Sequence, residues 1–227
     1  MSKTLVIDLQ TRDYKETWEL QLSLVELRAQ ALVPDVLLLV EHPHVVTMGT
    51  SGKPENILSK RFPIFKVERG GDVTYHGYGQ LVGYPIIDLT PRDKKVGRYV
   101  RDLEAMLIET LDHFGISAQR IEGRTGVWIG EQKKIASIGV AVRSWITFHG
   151  FALNVSTDLS CFSTINPCGY ESGVMTSITE QLERPVSISE VKGPIRNAFE
   201  HVFGTKLEPA SEEKLTRSVR SGVPAKT

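Results

Sequence analysis

At 227 residues, with 41% hydrophobic and 24% charged side chains, the chain has the length and composition of one globular domain with a real core. Its 27 basic and 27 acidic residues cancel, which removes the electrostatic case for nucleic acid or an anionic membrane. The longest apolar block, Val36 to Val40, is strand-sized rather than membrane-spanning, and two cysteines, Cys161 and Cys168, are too few for a disulfide framework.

The start, Met1-Ser2-Lys3-Thr4, leads into an apolar run with no cleavable signal pattern, so a reducing cytoplasm is the expected setting. Leu5 to Leu9 reads as a strand. Asp13 followed by Glu16 predicts a capping box for a helix through about Gln30, with Trp18, Leu22 and Val25 on its core face. Val36 to Val40 predicts a strand buried on both faces. Glu41-His42-Pro43-His44 follows. Two histidines near a glutamate are two metal-ligand types, but no third ligand or zinc-type spacing accompanies them, and no metal is expected.

Leu81 to Leu89 is a further apolar strand, and Pro91-Arg92-Asp93 a turn. Val96 to Phe114 carries the clearest helical periodicity, with Gly115 as its stop. Val127 to Ile129, Lys134 to Val142 and Ile146 to Val155 predict a mainly antiparallel meander. Gly123 to Gly126 reads as a loop, and the chain is irregular from Ser156 to Thr176. A last helix is expected over Ser189 to Phe203, ended by Gly204. Residues 1–210 are expected to form one domain, and 211–227 a polar, mobile tail, dispensable beyond its first turn.

Between the strands lies Arg69-Gly70-Gly71-Asp72-Val73-Thr74-Tyr75-His76-Gly77-Tyr78-Gly79-Gln80, followed by Leu81-Val82-Gly83-Tyr84. It is too glycine-rich for a helix and too polar for a core strand. Its glycines let a ligand approach the main chain, and its polar side chains can grip one; a plain glycine-rich connection is the competing reading. A second feature is Asn166-Pro167-Cys168-Gly169, where proline and glycine pin a thiol on a tight turn suited to a nucleophile. Cys161, beside Leu159 and Phe162, reads as apolar filler, but the residues alone leave the choice of thiol open. A third is Lys133-Lys134-Ile135-Ala136-Ser137-Ile138-Gly139. Lys134 opens an apolar strand and, if desolvated, can stabilise a thiolate or act as a base. The alternative is a solvated hairpin lysine, which is how Lys133 reads.

These stretches resemble the octanoyltransferases of lipoate biosynthesis. That family's pattern runs Arg-Gly-Gly, two free positions, Thr, an aromatic, His, two free positions, Gly-Gln, then Tyr four residues on, and every fixed position is present. Glu41-His42-Pro43 also resembles a pocket-shaping segment of the family. The resemblance spans about residues 5 to 205. It implies an α/β (α+β) fold with a mixed, mainly antiparallel sheet, similar to the biotin/lipoate protein ligase catalytic domain. It implies Cys168 as nucleophile, in the family's Pro-Cys-Gly turn, and Lys134 as the catalytic lysine before Ile-Ala-Ser-Ile-Gly. It assigns substrate binding to Arg69, Gly70, Gly71, Asp72, Val73, Thr74, Tyr75 and His76, to Ser137, Ile138 and Gly139, and to Gly150, Phe151 and Ala152.

The implied reaction moves octanoyl or lipoyl from acyl carrier protein, through a Cys168 thioester, to a lysine on lipoyl domains of oxoacid dehydrogenases or on the glycine-cleavage H protein. No cofactor and no ATP are expected. Backbone amides of Gly70, Gly71 and Ser137 to Gly139 are candidate oxyanion donors. His76 either orients the acyl carbonyl or the lysine, or is structural. Asn154 is expected to fix a turn or the cysteine loop.

Three rivals remain. An ATP-dependent lipoate or biotin ligase shares the fold but needs no cysteine and often carries an extra domain. An amidotransferase moving octanoyl between carrier proteins uses similar Cys and Lys chemistry. A non-catalytic carrier-binding module would have no use for both Cys168 and Lys134.

Overall fold

The computed structural model describes residues 2–167, 172–213 and 215. In chain order, β1 (Ser2–Thr11) is followed by α1 (Tyr14–Ala29), β2 (Asp35–Glu41), β3 (Val45–Met48), β4 (Ile64–Lys66), β5 (Val73–His76) and β6 (Gln80–Ile86). Then come α2 (Val96–Asp112), β7 (Gln119–Ile121), β8 (Arg124–Ile129), β9 (Lys133–Arg143), β10 (Ile146–Asn154), α3 (Ile178–Leu182), α4 (Ile188–Phe203) and β11 (Thr205–Pro209).

Among the described residues, eight strands form one sheet in the order β11-β1-β2-β6-β10-β9-β8-β7, and three form a second, β4-β3-β5. β1 pairs in parallel with β2 and β11, and β3 with β4; the other pairings are antiparallel. The expected meander is therefore β7-β8-β9-β10 at one end of a mixed sheet. Strand β11 had no counterpart in the sequence reading. It is a short segment that becomes a strand by lying against β1.

The sheet is covered on both faces, and β2 shows how one sequence run serves two cores. Leu37 and Leu39 pack with α2 and α4, whereas Val36, Leu38 and Val40 pack with α1. Side chains that alternate across a strand make an unbroken apolar run the expected pattern for such a strand. Asp13 caps α1 by accepting from the Lys15 and Glu16 amides, but the Glu16 carboxylate turns to Arg12 instead of closing a box. The buried side of α1 also differs from expectation. It comprises Tyr14, Thr17, Gln21, Leu24 and Val25, while Trp18 and Leu22 are half-buried. Apolar spacing was a poor guide there because part of this helix faces a polar site.

The stretch 69–80 also differs from a simple loop. Residues 73–76 form β5, paired with β3; residues 69–72 bend, 78–79 turn, and Gln80 opens β6. β8 begins at Arg124, inside the expected 123–126 loop. At the C-terminus the Ala210 amide donates to Val6, Glu212 pairs with Arg12, and Leu215 is buried beside α1. Packing thus continues to the first turn after residue 210. No helix among the described residues is long and apolar enough to cross a membrane.

Candidate active site

The loop 69–72 is built by its main chain. The carbonyls of Arg69, Gly71 and Asp72 accept from the amides of Thr50, Ser51 and Gly49, and the Gly70 N–H donates to Val140 O on β9 at 2.9 Å. A Cβ at Gly49 would lie 2.4 Å from Gly71 O, so only glycine allows this approach. The Arg69 guanidinium is buried and donates to Thr47 O at 2.7 Å, Thr47 Oγ1 at 2.9 Å and Gly70 O at 3.1 Å. Because the Gly70 amide is engaged by Val140, it is not a ready oxyanion donor, contrary to expectation.

This loop, β6, β9 and β10 enclose a pocket of about 460 Å³, part of it open to solvent. Arg69, Gly70, Gly71, Thr74 and His76 line one side. Ser137, Ile138 and Gly139 of β9 line another, together with their ladder partners Gly150, Phe151 and Ala152 of β10. These two triplets meet because the β9–β10 register pairs Gly139 with Gly150 and Ser137 with Ala152. The backbones crowd here: a Cβ at Gly150 would sit 2.2 Å from Gly83 O, and one at Gly83 2.1 Å from the Phe151 ring.

Three expected binding residues lie elsewhere. Alternation along β5 sends Thr74 and His76 to the pocket and buries Val73 and Tyr75 in a separate apolar cluster with Phe162 and Met175. Tyr75 instead contacts His44, hydroxyl to Nδ1, at 2.6 Å. Asp72 staples the loop by accepting from the Lys53 and Val73 amides and the Asn56 side chain. Four lining residues were missed: Tyr14, Val82, Tyr84 and His149. Tyr84 and Val82 sat inside the quoted pattern, and His149 adjoins Gly150. Tyr14, at the first position of α1, left no local signal.

Lys134 is 4% exposed, whereas Lys133 is exposed and donates to Gly173 O. The Lys134 ammonium lies 5.3 Å from the Trp128 ring centroid, a cation–π arrangement. Its stem lies over Gly126, where a Cβ would be 2.6 Å from Lys134 Cε. Gly126 has φ of +125° and its amide donates to buried Glu104. The desolvated lysine of the sequence reading is therefore present.

Cys168 lies outside the described residues, but the chain on both sides of it is anchored. Ile165 bridges Ile57 and the Asn166 amide donates to Asn56 O. Beyond it, Met175 bridges Lys134 and the Thr176 amide donates to Lys134 O at 3.0 Å. Cys161 is buried in the cluster with Tyr75 and Phe162, and its thiol donates to Asp158 at 3.6 Å.

The sequence matches the family model of the lipoyl protein ligase A/B catalytic domain over residues 13–200. An octanoyltransferase from Syntrophotalea carbinolica is 46% identical over 208 residues, covering 92% of this chain and 98% of that protein. This chain belongs to the octanoyltransferase family. It is an acyltransferase with the expected mixed α/β fold. A lipoate-protein ligase A solved with bound ATP superposes with a TM-score of 0.73 at 18% identity, covering 97% of this chain and 94% of that one. Biotin protein ligase from Aquifex aeolicus gives 0.53 at 13% identity, covering 90% and 70%. At such identities these two likenesses speak for the fold alone.

The octanoyltransferase-family pocket is walled by neutral imidazoles. Burial pushes His149 down to about 4, against an upward pull from Glu68 at 3.4 Å. Burial, then His42, push His76 down to about 3. Behind them, burial lowers His42 to about 4; its Nδ1 faces Arg12 O at 2.7 Å and its Nε2 the Tyr84 hydroxyl at 2.9 Å. The same burial raises the hydroxyls of Tyr14 and Tyr84. At neutral pH the wall offers hydrogen bonds and aromatic surface without net charge, apart from Arg69. His149 has φ of +54°, a left-handed conformation rare for a residue with a side chain. Gln21 of α1 secures it by accepting the His149 amide at 2.7 Å. Each of His42, His44 and Glu41 has a protein partner: Glu41 accepts the Gly79 amide at 2.6 Å. No group of three potential metal ligands occurs among the described residues.

Proposed function

We propose that this chain transfers an octanoyl or lipoyl group from acyl carrier protein to the ε-amine of a lysine on a lipoyl domain, through a thioester on Cys168. The observation that carries this reading is the placement of Lys134. A buried lysine accepts, through its main-chain carbonyl, the amide of Thr176, in the segment that follows Asn166-Pro167-Cys168-Gly169 in the sequence. A cation at that position lowers the pKa of a neighbouring thiol.

In this mechanism Cys168 gives its proton to the Lys134 amine, forming a thiolate–ammonium pair. The thiolate attacks the thioester carbonyl carbon. The tetrahedral intermediate collapses, the bond to the carrier's pantetheine sulfur breaks, and that sulfur leaves with the Lys134 proton. The acceptor amine then attacks the Cys168 thioester and yields a proton to neutral Lys134. Collapse expels the Cys168 thiolate, leaving an amide on the acceptor and the starting ion pair. Splitting the transfer into two displacements is covalent catalysis, and one lysine serves both as general acid and as general base. The slot lined by Val82, Ile138, Phe151 and Ala152 supplies apolar surface for the acyl chain, and each buried methylene contributes about 0.8 kcal/mol.

The reading is tested by donor competition on a purified lipoyl domain. Octanoyl-acyl carrier protein without ATP is expected to support modification, while free octanoate with ATP is not. Modification only in the second mixture would replace the transferase with an ATP-dependent ligase. The acceptors expected in the cell are the lipoyl domains of oxoacid dehydrogenases and the glycine-cleavage H protein, with the cytoplasm as the setting.

A further inference from the structure

A buried run of amides crosses the molecule from the pocket to Lys134, and its polarity is fixed at every step. Thr176 O is a carbonyl and can only accept, so Asn154 presents its NH2 there, at 2.9 Å. The Asn154 carbonyl therefore faces Gln80, which donates to it at 2.9 Å and to Tyr75 O at 3.3 Å. Both Gln80 hydrogens are then committed. Gln80 Oε1 is left to face His76 Nδ1 at 2.8 Å, and that nitrogen must carry the proton. The run closes at its other end, where the Thr176 amide donates to Lys134 O. Thr176 is also clamped by its hydroxyl, which donates to Glu180 and accepts from Gln181. Gln80 and Asn154 are 1% exposed and Thr176 0%, so no solvent competes for these bonds.

We propose that Asn154 and Gln80 are positioning residues: their one-way relay from Thr176 holds His76 as the Nδ1–H tautomer, leaving Nε2 as an acceptor for an N–H group of a pocket ligand. His76 lines the pocket and stacks on Tyr14 at 6.0 Å. The charged and titratable groups around it are Arg69 on the loop, His42 after β2 and His149 on β10, and each opposes its protonation. Tyr14 on α1 completes the surround and stays neutral. The arrangement therefore does not alter across the working pH range. Within the acyl-transfer reading, on which the kinetic part rests, two substrate groups present an N–H. These are the amides of the carrier's pantetheine arm and the amine of the acceptor lysine.

The test begins with histidine-ring 1H–15N correlation spectra of the intact wild-type protein, without substrate, from about pH 5 to about pH 8. The His76 signal is assigned among the six histidines by its loss in His76→Gln. A pH-independent Nδ1–H tautomer is expected. An Nε2–H tautomer, or a ring that titrates in that range, overturns the proposal, and this holds whatever reaction the protein catalyses. Asn154→Ala removes the shorter of the two bonds that orient the Gln80 amide and leaves only the longer one to Tyr75 O, so a mixture of His76 tautomers and a fall in kcat of about tenfold are expected, the size of one lost hydrogen bond. Gln80→Glu, which cannot donate to Asn154, is expected to give a protonated, titrating His76 and covers the case in which Asn154→Ala fails to fold. Burst kinetics assign the source. A loss in acyl-enzyme formation points to the pantetheine amide, and a loss confined to the second displacement points to the amine. A variant that is less stable but keeps the wild-type tautomer and kcat shows a merely structural relay and overturns the proposal.

Discussion

Helices α1 and α2 have 16 and 17 residues and pack on opposite faces of one sheet, yet they bury different chemistry. The buried side of α2 is mostly apolar, with Tyr99, Leu103, Met106, Leu107 and Leu111 joined to α4 in a continuous core and Glu104 and Thr110 buried alongside them. The buried side of α1 begins with Tyr14, Thr17 and Gln21 and becomes apolar only at Leu24 and Val25. The polar half lies against β10, where Gln21 holds the left-handed His149 and Tyr14 lines the pocket. One face of the sheet thus stabilises the domain, and the other spends part of its burial on shaping a site. Gln21 shows the cost: its Nε2 is buried without a hydrogen-bond partner, a defect the α2 side chains avoid.

This contrast can be broken in order of effect. Lys134→Met keeps the volume of a buried side chain but removes the proton-transfer group. Activity with octanoyl-acyl carrier protein is expected to fall about 10³-fold while the fold persists; a loss under tenfold would remove Lys134 from the chemistry. Leu107→Ala, in the α2 core, is expected to cost about 3 kcal/mol in denaturant unfolding, with kcat/KM per folded molecule unchanged. An activity loss exceeding the folded fraction would deny the division between the faces.

Acid sharpens the contrast next. His42, His76 and His149 are depressed in the folded state to about 4, about 3 and about 4, against an unfolded value near 6.5. Between those values the unfolded chain binds more protons, so the stability these residues contribute is present above about pH 6.5 and lost as pH falls toward 4 and 3. Thermal melts should show Tm dropping over that window, and His42→Phe should flatten part of the drop; a Tm independent of pH there would contradict neutral burial. The smallest effect is expected for Gln21→Leu. It strands the His149 amide but also deletes the unpartnered Nε2, for a net cost of about 1 kcal/mol. A loss above about 3 kcal/mol would make this bond the main support of the His149 backbone.

The same contrast explains what the sequence disclosed. The α2 helix, the two-sided β2 strand and the meander were legible because burial there is apolar and periodic. The α1 face was misread because Gln21 is buried for the His149 amide it meets, and Thr17 is buried with its hydroxyl satisfied one turn back on Asp13 O, neither for its hydrophobicity. Within the motif, Asp72, Val73 and Tyr75 were grouped with the pocket because a linear pattern does not reveal which side of β5 a residue faces. Tyr14 and Gln21 meet the site only through the packing of α1 on β10, a tertiary event with no sequence-local trace. The burial of Lys134 was only half legible, because an apolar strand that opens on two adjacent lysines also fits a solvated hairpin lysine; its place in the sheet decides between them. The strand β11 was not, because Thr205-Lys206-Leu207-Glu208-Pro209 is too short and mixed to declare itself without β1.

The proposed mechanism turns on the acyl-enzyme at Cys168. It is tested most directly by intact-protein mass spectrometry of wild type and Cys168→Ser after mixing with octanoyl-acyl carrier protein in the absence of ATP. One octanoyl adduct, released by hydroxylamine, is expected on wild type and none on the variant. No adduct on wild type, with a lipoyl domain nonetheless modified, would contradict it and leave Cys168 outside the chemistry.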